Sequence, residues 1–173
     1  RIAESLNIVH EQTVGFRVLT TLETTAGQGT TLGYRFEQLR SIIDLVEERN
    51  RMAVCMDTCH LFASGYDLAT EHGWNATILH FDDVVGLSRL AAIHLNDSKK
   101  GLNSRVDRHE HIGKGMMGMN AFRMLMNDAR LARVPKILET AKSEDMHEDV
   151  ENMAVLKSLI RTRLQVAAHH VDG

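Results

Sequence analysis

Met52-Ala53-Val54-Cys55-Met56 runs without a polar side chain and then stops on Asp57. A continuous apolar run of this length is how a strand buried on both faces reads, and such strands belong to parallel sheets. The same grammar recurs on either side. Phe16 to Leu22 ends at Glu23, Arg89 to Leu95 carries Leu90, Ala91, Ala92 and Ile93 into the His94–Asp97 stretch, and Pro135-Lys136-Ile137-Leu138 leads into Glu139. Helical spacing separates the strands. Phe36, Leu39, Ile42, Ile43 and Val46 form a stripe over 35–50, and Phe122, Leu125, Met126 and Ala129 another over 119–131. Residues 74–85 read as a helix too. Over 149–165 the spacing turns Val150, Met153, Leu156 and Ile160 inward, and over 2–12 Ile2, Leu6 and Val9 share one face.

Strand alternating with helix four times predicts a parallel α/β sheet. Ligand-type residues at the C-terminal ends of successive strands mark the active face of a TIM barrel. A closed barrel has eight strands over roughly 250 residues, so 173 residues hold about half of one: the second half, about four βα units. No linker or composition shift divides the chain, and residues 1–173 read as a single domain. The chain begins at Arg1 rather than Met, so part of something longer is expected. Val54, Met56, Ala91, Ile93 and Leu138 are then expected to line half a ring, partly uncovered.

Composition narrows the class. Apolar residues make up 43% and charged residues 25%, enough for a core and a folded surface. No apolar run approaches the ~20 residues of a membrane span. A net charge of −3 excludes a globally basic nucleic-acid binder while leaving a local basic groove open. Two cysteines are too few for a disulfide scaffold, so a reducing, cytoplasmic setting is expected.

Ten histidines beside a single proline direct attention to metal chemistry. Asp57-Thr58-Cys59-His60 follows a buried strand in the loop where such folds keep their ligands; it reads equally as a capping Asp with a surface His. Asp107-Arg108-His109 puts a carboxylate and an imidazole on one side of an extended segment. A strand-end carboxylate is costly to bury unless paired or metal-bound. Glu23, Asp57, His94 and Glu139 at four strand ends are hard to explain by packing. The His nitrogen and carboxylate oxygen mixture suits zinc or manganese in a hydrolytic site. Cys55 and Cys59 read as small packing residues, and His169-His170 as a solvated tail.

These segments carry a resemblance. Leu22-Glu23-Thr24-Thr25-Ala26-Gly27-Gln28-Gly29, Val54-Cys55-Met56-Asp57-Thr58-Cys59-His60, His94-Leu95-Asn96-Asp97-Ser98-Lys99, Asp107-Arg108-His109 and Ile137-Leu138-Glu139-Thr140 resemble, in order and spacing, the signatures of the endonuclease IV family of apurinic/apyrimidinic endonucleases. The resemblance implies a xylose isomerase-like TIM barrel with three Zn2+ ions, cleaving double-stranded DNA on the 5′ side of abasic sites. It implies that Glu23 bridges two ions and that Asp57, His94 and Glu139 complete the second, with Glu23 and Glu139 as the catalytic carboxylates. It implies that His60, Asp107 and His109 hold the third. Two further histidines of the first ion, from earlier strands, have no counterpart. Ligands for two complete sets are therefore expected, with the N-terminal half of the barrel as the missing partner.

Lys99, Lys100, Arg105, Arg108 and Lys114 give the ligand segment a basic edge. Gln28, Lys99 and Arg108 are the expected DNA contacts; a solvated loop balanced by Asp97, Asp107 and Glu110, and a plain turn at Gly27-Gln28-Gly29, are the competing readings. Two other functions are compatible with the strand-end pattern: a metal-dependent sugar isomerase or epimerase of a related barrel, and an inactive metal-binding half-barrel.

Overall fold

A computed structural model describes residues 1–161; the His169-His170 tail lies outside them. The elements are α1 (Ile2–Gln12), β1 (Thr20–Glu23), α2 (Phe36–Leu45), β2 (Met52–Asp57), α3 (Thr58–Ser64), α4 (Glu71–Val84), β3 (Leu90–Leu95), β4 (Asp97–Ser98), β5 (His109–Glu110), α5 (Met119–Asn127), β6 (Lys136–Leu138) and α6 (His147–Ser158). Strands β1, β2, β3 and β6 form one sheet in that order, every pairing parallel. Sequential order with a helical return after each strand is the α/β barrel arrangement. β4 and β5 make a separate antiparallel pair. Among the described residues, no helix is long and apolar enough to cross a membrane.

The inner strand β2 behaves as its sequence demands: all six of its residues are buried. The other strands of the sheet do not. Ile137 of β6 is 48% exposed: it pairs with His94, so alternation turns it to the face away from the helix-covered core. Pairing parity also corrects the expectation that Val54, Met56 and Ile93 line a half-empty ring. Met56 pairs with Ile93, both are buried, and both join Leu61, Leu68, Trp74, Ile78 and Leu125 in the core beneath α3, α4 and α5. The opposite face of the sheet carries the small and polar residues.

Several boundaries move for local reasons. Residues 58–64 are a helix rather than a loop, begun by the Asp57 side chain accepting the His60 N–H at 2.9 Å and ended at Gly65, whose φ of 110° is left-handed. β1 starts only at Thr20, leaving Phe16, Val18 and Leu19 exposed. In α6 the expected face is rotated. Leu156 is buried as expected, but Val150, Met153 and Ile160 are exposed, and the helix buries Asn152 beside Leu156, with Val155 and Leu159 packed against the core. Asn152 tolerates burial because its amide is fully used: it donates to Thr140 Oγ1 and His111 Nδ1 and accepts from the Ile112 N–H. In α1, Ala3 and His10 are buried, not Ile2 and Val9.

The start of α4 offers a test. Thr70 caps the helix by accepting the Gly73 N–H, and Asp67 Oδ2 accepts the Thr70 hydroxyl at 2.6 Å. A Cβ on Gly73 would press into the Asp67 carbonyl oxygen, closer than van der Waals contact allows. Helix propensity favours Gly→Ala by about 1 kcal/mol, whereas overpacking costs about 1–3 kcal/mol. Gly73→Ala should therefore lower the melting temperature by several degrees. A rise on thermal denaturation would show that the Asp67 turn yields freely.

Candidate metal centre

Strand register decides which side chains meet. Glu23 pairs with Cys55, and Asp57 with His94, while Ile137 pairs with His94 two residues before Glu139. Period-two alternation then sends Glu23, Asp57, His94 and Glu139 to one face at the C-terminal end of the sheet. One donor atom from each lies within 4.8 Å of the others. His94 Nδ1 stands 3.2 Å from Glu23 Oε1, 3.1 Å from Glu139 Oε2 and 3.9 Å from Asp57 Oδ2.

A second group adjoins the first through Asp57, with His60 from the first turn of α3 and His109 from β5. His60 Nδ1 lies 2.8 Å from the Thr24 carbonyl and His109 Nδ1 3.2 Å from the Glu139 carbonyl. A carbonyl only accepts, so these contacts assign the Nδ1–H tautomer to both rings and leave each Nε2 as a bare lone pair when neutral. The two Nε2 atoms nevertheless face each other at 3.3 Å, with Asp107 Oδ2 3.1 Å from one and Asp107 Oδ1 3.3 Å from the other. Two lone pairs and a carboxylate converging on one point call for a positive centre. Tetrahedral donors bound at about 2.0–2.1 Å from zinc lie about 3.3 Å apart, so this spacing fits a divalent ion.

The charges interlock. The hydrogen bond from His60 holds Glu23 below the usual carboxylate range, against the opposing effect of burial. Burial pushes Asp57 up, opposed by His60 and His109. Burial acts against protonation of His60, but the Glu23 hydrogen bond and the charges of Asp57 and Asp107 overrule it and lift His60 to about 9. In the metal-free protein a proton occupies part of the place the geometry prepares for an ion.

Some expected residues do other work. Asp97 turns away from the donors and accepts the backbone N–H of Ser98, Gly115, Met117 and Gly118, clasping the 99–118 loop that delivers Asp107 and His109. Gln28 Oε1 accepts the Asp107 N–H at 3.1 Å, bracing a ligand candidate from the β1–α2 loop. The exposed Arg108 donates to the Asp107 carbonyl, and Lys99 lies 4.0 Å from Glu110. Cys55 and Cys59 are buried, which pushes their thiols to about 12 and about 11. Cys59 nonetheless has its sulfur among the Asp107 and His109 donors, closer than its reading as packing implied. No individual role is legible in the sequence for Thr24, Asn96, Thr140, His111 and Asn152, all polar groups that hold ligand-bearing segments. In the remaining group Asp145 and His147 are exposed and Glu148 is partly buried, and the three form the hydrogen-bonded start of α6.

Fold and site together define a class. The family model described as xylose isomerase-like TIM barrel matches residues 1–159, and the chain belongs to that family. Within it the chain belongs to the endonuclease IV family. It is 51% identical over 161 residues to a probable endonuclease 4 of Chloroflexus aggregans (strain MD-66 / DSM 9485), covering 93% of this chain and 56% of that protein. It is 53% identical over 163 residues to one of Geobacter sulfurreducens (strain ATCC 51573 / DSM 12127 / PCA), covering 94% and 55%. The crystal structure of endonuclease IV from Thermus thermophilus superposes with a TM-score of 0.72 at 37% identity, over 86% of this chain and 52% of that one. The chain spans about half the length of the curated relatives it matches.

The raised value of His60 makes a pH prediction. A histidine lifted above its ordinary 6.5 contributes stability that is present below pH 6.5 and lost as pH rises through about 9. Chelator-treated protein should lose melting temperature between about pH 6.5 and 9, and His60→Asn should flatten that decline. An NMR titration midpoint for His60 at or below 6.5 would overturn the charge assignment.

Proposed function

We propose that this chain carries one side of a zinc-dependent DNA repair endonuclease site. The reaction is hydrolysis of the phosphodiester bond 5′ to an abasic site in double-stranded DNA, giving a 3′-hydroxyl and a 5′ deoxyribose phosphate end. The observation that supports it best is the meeting of two histidine Nε2 atoms and Asp107 beside the Glu23–Asp57–His94–Glu139 group. The names of the relatives, and the added His60–Asp107–His109 set, favour a nuclease over a sugar isomerase or epimerase. Two free cysteines suit a reducing, cytoplasmic setting.

In this reading Glu23, Asp57, His94 and Glu139 hold one ion and His60, Asp107 and His109 another. Zinc bound there supplies Lewis-acid polarisation of phosphate oxygens and acidifies water at neutral pH. The chain's own groups do the rest. Glu23, kept ionised by His60, and the half-exposed Glu139 are carboxylates at the mouth of the site that can take a proton from attacking water. Lys99 and Arg108 position phosphates, and Gln28, with its oxygen committed to Asp107, offers its amide N–H groups to the DNA.

The same proposal treats residues 1–173 as one domain forming the second half of a (β/α)8 ring, whose partner is the half that brings two more histidines. The relatives' greater length and the open edges of β1 and β6 support this.

The chain should bind close to two zinc ions, and His109→Ala should lose about one. Elemental analysis finding no zinc above background overturns the metal assignment. Removing a preorganised charge-stabilising group commonly costs ~10²–10³ in rate. Nicking of a duplex with a synthetic abasic site should therefore be at least that far below a full-length relative, and rise, together with melting temperature, when the other half is supplied. Full-rate nicking by the 173-residue chain would show that the site is complete without it.

A further inference from the structure

Asp57 is the residue that the two donor groups share, and both of its oxygens are engaged from behind. Oδ1 accepts the His60 backbone N–H at 2.9 Å, and Oδ2 accepts the Asn96 side-chain amide at 2.5 Å. Asn96 is wholly buried. Its backbone is clamped to α3: the N–H donates to Thr58 Oγ1 at 2.9 Å, and the carbonyl accepts the Thr58 hydroxyl at 2.7 Å. Its own Oδ1 has no hydrogen-bond partner among the described residues. An unsatisfied buried acceptor is costly, and reversing the amide would set that oxygen against the Asp57 carboxylate. The half of the side chain in use is the half that faces Asp57.

We propose that Asn96 is a positioning residue that fixes the plane of the Asp57 carboxylate and so aims Oδ2, the oxygen that faces both donor groups. An ionised carboxylate has about four acceptor sites. The His60 N–H occupies one on Oδ1 and the Asn96 amide one on Oδ2. Oδ2 keeps a site directed forward, 3.9 Å from His94 Nδ1 of one group and 3.8 Å from His109 Nε2 of the other, while Oδ1 lies 3.8 Å from His60 Nδ1. Without the amide the carboxylate keeps only the His60 N–H as an anchor, and both groups lose the fixed orientation of their common member. The inference rests on the metal reading above.

The test compares Asn96→Ser and Asn96→Asp with the wild-type chain and with Leu125→Ala, a buried change in α5 that touches none of the donors. Zinc affinity is measured by chelator competition, and coordination by the visible absorption of the cobalt-substituted protein, below each variant's melt. Loss of an outer-layer hydrogen bond typically weakens metal binding by about 10–100-fold. Both Asn96 variants should fall in that range with altered cobalt spectra, while Leu125→Ala should lose melting temperature and keep its affinity. Asn96→Ser binding zinc as tightly as wild type, or an equal loss in Leu125→Ala, overturns the positioning role and leaves the metal reading standing. A wild-type chain that takes up no zinc overturns both. Should the Asn96 variants fail to fold, the wild type still decides: its Asn96 amide proton signals should be slow to exchange and should shift on zinc addition, and fast-exchanging, unmoved signals overturn the proposal.

Discussion

A fully buried carboxylate stands at the centre of this molecule. Asp57 ends a strand buried along its whole length, and nothing about that position is tolerable for a negative charge unless donors surround it. The chain meets this demand with a helix start, an asparagine and two histidines. The abrupt passage from β2 into α3 follows from it, because the carboxylate that needs a donor is also the cap that starts the helix. That turn in turn throws His60 back over the sheet face toward Glu23 and Asp107.

The rest of the site is held by a layer of bonds that never reaches the donors' front. Backbone carbonyls of Thr24 and Glu139 fix the rings of His60 and His109, and four backbone N–H groups on Asp97 fold the long loop from which Asp107 and His109 project. Asn152 ties that loop to α6 and to Thr140, one residue beyond Glu139. Metal ligands are normally oriented by such outer partners. Here they also keep like charges and bare lone pairs close together against their mutual repulsion.

Much of the candidate site is legible in the chain because strand-end chemistry leaves a local mark. An apolar run ending in Asp, Glu or His shows which residues stand at the mouth of a parallel sheet, and the seven candidate donors lie together there. The supporting residues leave no such mark. Asp97 reads as a charge balancing a basic loop, and Gln28 as a DNA contact, because identity and spacing do not show which backbone N–H groups a side chain will meet after the loop folds. The faces of α1 and α6 mislead for a related reason. Apolar period alone cannot foresee a buried His10 or an Asn152 whose amide is satisfied by other elements.

By itself the sequence determined the order of strands and helices, the parallel sheet and the strand-end donors Glu23, Asp57, His94 and Glu139, since each follows from short-range periodicity and from which residue closes each apolar run. His60, Asp107 and His109 were marked by motif spacing and by the family resemblance. Only the tertiary structure decided which donors share a point, which imidazole nitrogen each histidine presents, and which polar residues stand behind them. Those properties depend on the register between strands and on hydrogen bonds spanning 36 residues from Thr24 to His60 and 79 from Gln28 to Asp107. Separations of that length carry no periodic signal, and they acquire a distance only when the sheet has assembled.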